Sequence, residues 1–242
     1  MSKARHGRYG DRRDAGEVLA RLLEDYAGRE DVVVLGLPRG GVVVAAPVAA
    51  ALPAPLDILV VRKLGLPGRP ELAMAAVTEV AGQVALVRNE DVLHRWPVPD
   101  EALDAVLRAE LAELHRREGA YRGDRPPLPV RGKVGVLVDD GLATGASMRA
   151  AVAGVRLLDP VAVVVAVPVG AAETVRALRP LVDDLVCPWM PRPFRAVGQA
   201  YDDFTATDDA EVLRALASVG TKPRARREPS NGTQPGVPGR DE

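Results

Sequence analysis

A short segment near the middle of the chain combines two adjacent carboxylates with a run of small and hydroxyl-bearing residues. Asp139 and Asp140 follow the apolar run Val136–Val138, and the residues after Gly141 lead into a segment with helical periodicity. Small residues let backbone N–H groups come close to an anion, and a helix N-terminus adds partial positive charge. The second half of the segment therefore predicts a phosphate cradle, made of Leu142, Ala143, Thr144, Gly145, Ala146 and Ser147.

The two carboxylates need a different partner, because a phosphate would repel them. Sugar hydroxyls or a divalent cation would suit Asp139 and Asp140, so a phosphorylated sugar satisfies both halves of the segment. A simpler interpretation is that the aspartates cap a turn and that Gly145 only lets a helix pack closely. The sequence contains no G-x-x-x-x-G-K-[ST] motif and no G-x-G-x-x-G motif after a strand, and Gly145–Arg149 lacks the second glycine of a serine nucleophile elbow.

The elements expected around this segment are those of an α/β fold with a doubly wound parallel sheet. Short β-branched runs, apolar on both faces, alternate with helical patterns, as in sheets that helices cover on both sides. The predicted strands are 32–37, 56–62, 133–139, 161–167 and 185–187, and the predicted helices are 41–52, 145–158 and 171–178. Ligands bind at the carboxyl ends of the strands in such sheets, so the loops there are the candidate site.

Two stretches add to this alternation, and two ends fall outside it. Residues 75–80 and 83–88 predict a hairpin, and residues 100–117 predict a long amphipathic helix. A first helix is predicted to begin at Asp14, with Glu17 at capping-box spacing. We therefore expect one domain over residues 14–219, with basic, disordered tails at 1–13 and 220–242.

The composition is that of a globular protein and argues against several classes. Of 242 residues, 47% are hydrophobic and 3% aromatic, and the net charge is −1. Residues 14–219 carry 22 basic and 29 acidic side chains, so a nucleic-acid partner is not expected. The single Cys187 excludes an internal disulfide framework, and the longest uncharged stretch, 17 residues, is too short to span a bilayer. With no apolar signal segment at the N-terminus, we expect a cytoplasmic protein without membrane contact.

The segment Val138–Ser147 closely resembles the 5-phosphoribosyl-1-pyrophosphate (PRPP) binding motif of the type I phosphoribosyltransferase family. The resemblance covers most of the core and implies that family's fold, with a small hood over the sheet. It also implies a magnesium-dependent pentosyltransferase that moves the phosphoribosyl group from PRPP to a purine- or pyrimidine-like base and releases pyrophosphate, as in nucleotide salvage. Under the resemblance, Asp139 and Asp140 hold the ribose and the metal, and residues 142–147 hold the 5-phosphate.

The resemblance gives a meaning to two further loops. Arg39, Gly40 and Gly41 follow the first core strand and look like the family's pyrophosphate loop, where a guanidinium and inward-pointing amides suit a doubly charged leaving group. A Gly-rich turn is also an ordinary α/β connection. Arg62 and Lys63 end the next predicted strand; such a basic pair is often solvated surface, but at this edge we expect it to contact the pyrophosphate.

The family's lid and hood have counterparts with looser patterns. Residues 64–71 are rich in Gly and Pro and are similar in position to the flexible catalytic loop, which would bring Arg69 and Glu71 to the substrate. The Phe-x-x-Val-Gly pattern at 194–198 resembles a base-binding hood, with Phe194 stacking on the base and Val197 at its edge. On the same analogy Asp202 lies near the metal and the pyrophosphate, whereas Phe204 is expected to fill the core.

One departure leaves the chemistry of the base open. Ala143 stands where members acting on 6-oxopurines carry an aspartate, so the usual general base is missing, and Glu71 is the substitute that we consider. The alternative function is a regulatory protein that senses PRPP on the same fold without turnover. A third possibility is that the basic ends bind an anionic partner. A homodimer is also possible, and the helix at 100–117 could serve its interface.

Overall fold

The computed structural model describes residues 8–219 of the chain. Its strands are β1 (Val32–Gly36), β2 (Leu56–Ile58), β3 (Val61–Leu66), β4 (Arg69–Val80), β5 (Gln83–Arg88), β6 (Val134–Val138), β7 (Ala162–Ala166) and β8 (Asp184–Val186). Its helices are α1 (Arg12–Leu22), α2 (Gly40–Ala51), α3 (Glu90–Arg95), α4 (Asp100–Arg122), α5 (Ala146–Arg156), α6 (Ala172–Leu178) and α7 (Asp209–Ser218). None of the helices in this range is both long enough and apolar enough to cross a membrane.

The main sheet has five strands in the order β2-β1-β6-β7-β8, all parallel. Its central strands β1 and β6 are buried at every residue, which explains why their sequences are continuous Val/Leu runs without polar alternation. One hydrophobic cluster joins one face of the sheet to α1, α2 and α7, and a second joins the other face to α5 and α6. The prediction of a doubly wound α/β fold is confirmed.

A second, antiparallel sheet of three strands, β3-β4-β5, lies beside the parallel one. The predicted hairpin is present, with Ala81 and Gly82 in its turn at φ +51° and +77°, and the predicted long helix is α4, which continues to Arg122. The prediction of one strand over 56–62 is wrong: β2 ends at Ile58, and the chain enters the second sheet at Val61. Residues 64–71, expected as an irregular lid, form a tight turn at Pro67–Gly68 between β3 and β4.

The N-terminal boundary also differs from the prediction. Helix α1 begins at Arg12 and is capped by Asp11, whose Oδ1 accepts a hydrogen bond from the Asp14 N–H at 2.8 Å. Asp14 is therefore a first-turn residue and not the cap. Tyr9 is buried, so residues 9–13, which were assigned to a disordered tail, pack on the domain. The rest of the predicted tails, residues 1–7 and 220–242, lies outside the described residues.

Helices α1 and α2 approach each other through Gly16. A Cβ added at this residue would overlap the carbonyl oxygen of Val44 and lie 3.0 Å from Cγ of Pro47. The absent side chain is thus what allows α1 to pack against α2, which in turn begins at the candidate pyrophosphate loop. Helix packing at this contact therefore fixes one wall of the site.

We predict that Gly16→Ala lowers the free energy of unfolding by about 1–3 kcal/mol, because the backbone of α2 cannot move aside without cost. The matched control is Gly119→Ala in α4, where an added Cβ meets nothing within 4 Å. That variant should stabilise the protein by about 0.4–1 kcal/mol, since alanine restricts the unfolded chain. Thermal and urea denaturation of both variants measure the difference; equal effects would contradict the close approach of α1 and α2.

Candidate active site

The loops after β1 and β6 meet at the carboxyl edge of the parallel sheet. Gly40 and Gly41, at the start of α2, lie directly against the loop that carries the two aspartates. A Cβ added at Gly41 would stand 2.7 Å from the Val138 carbonyl oxygen and 2.8 Å from Cα of Asp139, and one added at Gly40 would overlap the Asp140 carboxylate. The structure therefore brings together the predicted pyrophosphate loop and the predicted sugar-binding carboxylates.

The two carboxylates are largely buried, and this changes their protonation. Burial raises the pKa of Asp139 well above its usual value, and the neighbouring Asp140 charge raises it further. Burial also raises the pKa of Asp140, against the effect of the Arg12 guanidinium, whose Nε donates to Asp140 Oδ2 at 2.9 Å. The Asp140 N–H donates to Asp139 Oδ1 at 2.8 Å, which fixes the side chain of Asp139.

The predicted phosphate cradle has the backbone that an anion site needs. Gly145 adopts φ +79° and precedes the first residue of α5, and no side chain caps that helix. The first N–H groups of a helix have no partner within the helix, so they remain available to a ligand. Leu142 is buried, its N–H donating to the Val169 carbonyl at 2.8 Å, while Ala143 and Thr144 are exposed. Ala146 and Ser147 occupy the first turn of α5 and are half-buried.

The cradle is held in place by α6. Thr174 Oγ1 donates to the Ala143 carbonyl oxygen at 2.7 Å. A Cβ added at Gly145 would lie 2.6 Å from Cγ2 of Thr174, so a larger residue there would push the loop away. The close packing expected under the simpler interpretation of Gly145 is therefore present, and a role of the segment in binding an anion stays a prediction.

The basic residues predicted to bind pyrophosphate point in different directions. Arg62 and Lys63 are neighbours on β3, so their side chains project from opposite faces of the strand. Arg62 Nε is 2.7 Å from Glu110 Oε2 of α4, and this ion pair holds it away from the carboxylates. Lys63 is exposed and near enough to Asp139 to lower the pKa of that carboxyl. The structure groups Lys63, and not Arg62, with the site.

The Arg39 side chain faces helix α4. This exposed side chain lines a pocket of about 140 Å³. The other residues of that pocket are Arg116, Arg117, Ala120 and Tyr121 of α4 and Asp209 of α7. Glu71, the substitute general base, is exposed on β4, two residues after Arg69, the first residue of that strand. Arg69 itself lies over the Trp96 ring, 5.4 Å from its centroid, so the turn between β3 and β4 rests on the end of α3.

The predicted hood is an aromatic cluster at the same edge of the sheet. Phe194 and Val197 are half-buried and pack with Tyr9 and Tyr201. Val197 also lies against Gly141, where an added Cβ would meet its Cγ2 at 2.7 Å. Phe204, expected in the core, is 37% exposed and stacks on Tyr201 with ring centroids 5.0 Å apart. The expectation for Phe204 is therefore wrong: it covers the outside of the cluster.

The three carboxylates predicted to bind a metal do not form a metal site. The Asp202 side chain is 67% exposed and its Oδ1 lies 3.4 Å from Nε of Arg8. Within residues 8–219, no group of three or more His, Cys, Asp or Glu side chains is arranged to hold a metal ion. Asp139 and Asp140 remain adjacent at the site, but one of them already pairs with Arg12. The residues present do not fit a magnesium ion held by the protein alone.

Arg12 is the site residue that sequence reasoning missed. The prediction placed it in a mobile tail, since Asp14 and Glu17 matched the capping pattern and the true cap, Asp11, was overlooked. Residues 9–10 pair with residues 200–203: Tyr9 N–H donates to the Ala200 carbonyl, and the Asp202 and Asp203 N–H groups donate to the carbonyls of Tyr9 and Gly10. This pairing brings the start of α1 onto the site. The signal available in the sequence was Asp11, whose side chain can cap a helix that begins at Arg12.

Known proteins share this fold and sequence. The family model described as a phosphoribosyl transferase domain matches residues 11–188. Two proteins of Mycobacterium tuberculosis, from strains CDC 1551 / Oshkosh and H37Rv, are each 47% identical over 208 residues, or 86% of this chain and 46% of the relative; their names give phosphoribosyl transferase as a provisional assignment. The crystal structure of TT1426 from Thermus thermophilus has a TM-score of 0.73 and 42% identity, covering 86% of this chain and 97% of that one.

The chain therefore belongs to the phosphoribosyltransferase family, as the resemblance at residues 138–147 implied. The match begins at Asp11, in agreement with the start of α1 in the structure and not with the predicted boundary at Asp14. The chain spans about half the length of the curated relatives it matches.

We predict that Asp139→Asn stabilises the protein at neutral pH. A carboxyl whose pKa is raised by folding binds more protons in the folded state, so its contribution to stability falls as the pH rises from its unfolded pKa to its folded pKa. Asparagine carries no charge, so it avoids this loss of stability, and it keeps the side-chain oxygen that accepts the hydrogen bond from the Asp140 N–H. The melting temperature should rise by about 2–4 °C for each kcal/mol gained, and the gain should shrink toward acidic pH.

Asp183→Asn is the control of opposite sign. The hydrogen bond from the Val163 N–H at 2.7 Å lowers the pKa of this exposed carboxyl, and the Arg156 charge lowers it further. Its replacement should destabilise the protein at neutral pH, with the loss fading as the pH falls toward the folded pKa. Calorimetric scans between about pH 3 and pH 7.5 compare the two variants, since the Asp183 effect is lost only at pH values below the usual pKa of an aspartate. A destabilising Asp139→Asn at neutral pH would contradict the burial cost.

Proposed function

We propose that this chain transfers the 5-phosphoribosyl group from PRPP to a nitrogenous base, with release of pyrophosphate. The observation that carries the proposal is the contact between the Gly40–Gly41 loop and the Asp139–Asp140 pair beside the uncapped N-terminus of α5. One edge of the sheet then offers a place for each part of PRPP. Family membership supports the class of pentosyltransferase, and the acceptor base and a role in salvage belong to the proposal.

In the proposed reaction the protein acts mainly by binding and positioning. The backbone N–H groups at 145–147, with the Thr144 and Ser147 hydroxyls, would hold the 5-phosphate. Asp139 and Asp140 would accept hydrogen bonds from the ribose hydroxyls. As pyrophosphate leaves, positive charge develops on the ribose ring, and carboxylates placed close to it lower the energy of that transition state.

The leaving pyrophosphate would be held by the amides of Gly40 and Gly41, with Lys63 and Arg39 supplying positive charge. Mg²⁺ would enter with the substrate, since this ion prefers phosphate oxygens and water with only one or two protein carboxylates. When bound there, it would neutralise part of the diphosphate charge. Arg62 drops out of the proposed set because Glu110 pairs with it.

The base would sit under the hood, against Phe194 and Val197. Both are half-buried in the aromatic cluster beside the Asp140 loop, which supports a planar ligand there. Ala143 offers no general base, and Glu71 would need the turn between β3 and β4 to bend toward the site. An acceptor whose reacting nitrogen needs little help in losing a proton fits this arrangement best.

The test is incubation of the purified protein with PRPP, Mg²⁺ and a panel of purine and pyrimidine bases, with pyrophosphate release as the readout. We expect release with at least one base, and its loss by at least about 100-fold in Asp140→Asn, because the carboxylate acts where charge develops. Tight PRPP binding without release by any base would favour the PRPP-sensing alternative. Absence of PRPP binding would contradict both functions.

A second prediction separates two neighbouring basic residues. Lys63→Gln should weaken PRPP binding by about tenfold, the effect of losing one charged contact of roughly 1.4 kcal/mol. Arg62→Gln should leave PRPP affinity within about twofold, because this side chain faces Glu110. Calorimetric titration with PRPP measures both. An equal loss in the two variants would show that the pair acts together, as the sequence alone suggested.

A further inference from the structure

Arg12 makes three contacts that no other described side chain combines. Its Nε donates to Asp140 Oδ2 at 2.9 Å, and its Nη1 donates to the Thr205 carbonyl oxygen at 2.8 Å. Its guanidinium carbon lies 4.0 Å from the centroid of the Phe204 ring. The Arg12 side chain is 11% exposed, although it stands in the first turn of a surface helix. Such burial of a guanidinium requires partners, and these three are what it has.

The contacts connect the sugar-binding carboxylate to the hood. Thr205 and Phe204 follow the stretch 200–203 that pairs with residues 9–10, and Phe204 stacks on Tyr201. The Tyr201 hydroxyl in turn donates to the Asp140 carbonyl oxygen at 2.6 Å. Asp140 is therefore held at two points. Arg12, which rests on the hood, bonds its side chain, and Tyr201 bonds its backbone carbonyl.

The geometry leaves Asp140 little freedom. Gly40 lies against the carboxylate on one side, where no Cβ would fit, and Arg12 Nε occupies Oδ2. The remaining oxygen, Oδ1, is then the one available to a ligand. An arginine suits this task better than a lysine, because its planar fork can bond a carboxylate and a carbonyl at once while its face rests on an aromatic ring.

We propose that Arg12 is a positioning residue of the phosphoribosyl site, which fixes the Asp140 carboxylate for the ribose hydroxyls and makes that orientation depend on the assembled hood. This inference rests on the proposed function of the same site. It predicts that a ligand with a ribose ring depends on Arg12, whereas a bare phosphate ion in the α5 cradle does not.

The experiment compares Arg12→Gln and Arg12→Lys with the wild-type full chain, using titrations with ribose 5-phosphate and with inorganic phosphate. Arg12→Gln should weaken ribose 5-phosphate binding about tenfold or more, as expected for removing one partner of a buried charged pair. Arg12→Lys should recover part of that loss, since it keeps the charge and loses the second arm. Phosphate affinity should stay within about twofold in both variants.

Arg13→Gln is the matched control. Arg13 is the next residue of α1, and its side chain is 79% exposed, with Glu17 at 3.9 Å. The Arg13→Gln substitution changes the net charge by the same amount as Arg12→Gln and leaves the site untouched. Its affinities for ribose 5-phosphate and for phosphate should therefore be those of the wild type. Melting temperatures of all variants show whether any of them fails to fold, and Arg12→Lys keeps the comparison possible if Arg12→Gln does.

Four outcomes would overturn the inference. Tighter ribose 5-phosphate binding in Arg12→Gln would mean that Arg12 competes with the sugar for Asp140. An equal loss for phosphate and ribose 5-phosphate would mean that Arg12 only maintains the fold. If Arg12→Gln binds both ligands with wild-type affinity, Arg12 has no role in the site, and the rest of the proposed site is unaffected. A wild-type protein that binds neither ligand would contradict the proposed function, and this inference with it.

Discussion

Two adjacent, largely buried carboxylates at the end of β6 impose an energetic constraint on which the arrangement of the candidate site depends. Removing such charges from water is costly, and their mutual repulsion adds to the cost, which is why the pKa values of Asp139 and Asp140 are both raised. The cost is tolerable only with compensation nearby. Arg12 provides an ion pair, Lys63 provides a through-space charge, and the Asp140 N–H provides a hydrogen bond. Ligand groups that bring hydrogen-bond donors would relieve it further.

This constraint explains why distant parts of the chain converge on one edge of the sheet. The loop after β1 needs glycine at positions 40 and 41, because any side chain would collide with the aspartate loop. Helix α1 must begin early enough to deliver Arg12, and its close contact with α2 at Gly16 holds it there. The second sheet supplies Lys63 from one face of β3 and fastens the other face to α4 through Arg62 and Glu110. Helix α1 and strand β3 thus each place one positive charge near the aspartate pair, at Arg12 and Lys63.

The sequence predicted those features that depend on local patterns. Buried parallel strands require continuous apolar runs, so the doubly wound sheet, and the loop at 142–147 that leads from β6 into α5, could be recognised along the chain. The directions in which the Arg62 and Lys63 side chains point could not be predicted from the sequence. They depend on where β2 ends and β3 begins, and both strands pack against α4. Arg12 and Phe204 were misjudged for a related reason. Their surroundings come from pairing between the two ends of the domain, which nearby residues in the sequence do not indicate. The capping residue Asp11 signals only the early start of α1.

The pairing of residues 9–10 with 200–203 has a practical consequence for anyone who prepares this protein. Residues 9–10 form a strand-like strap that closes the hood next to the candidate site. A shortened version that starts at Asp14, where the sequence predicted the first helix, would lose this strap and Arg12 while keeping the sheet. Such a protein would keep the parallel sheet and lose the Arg12 contact to Asp140 at the candidate site.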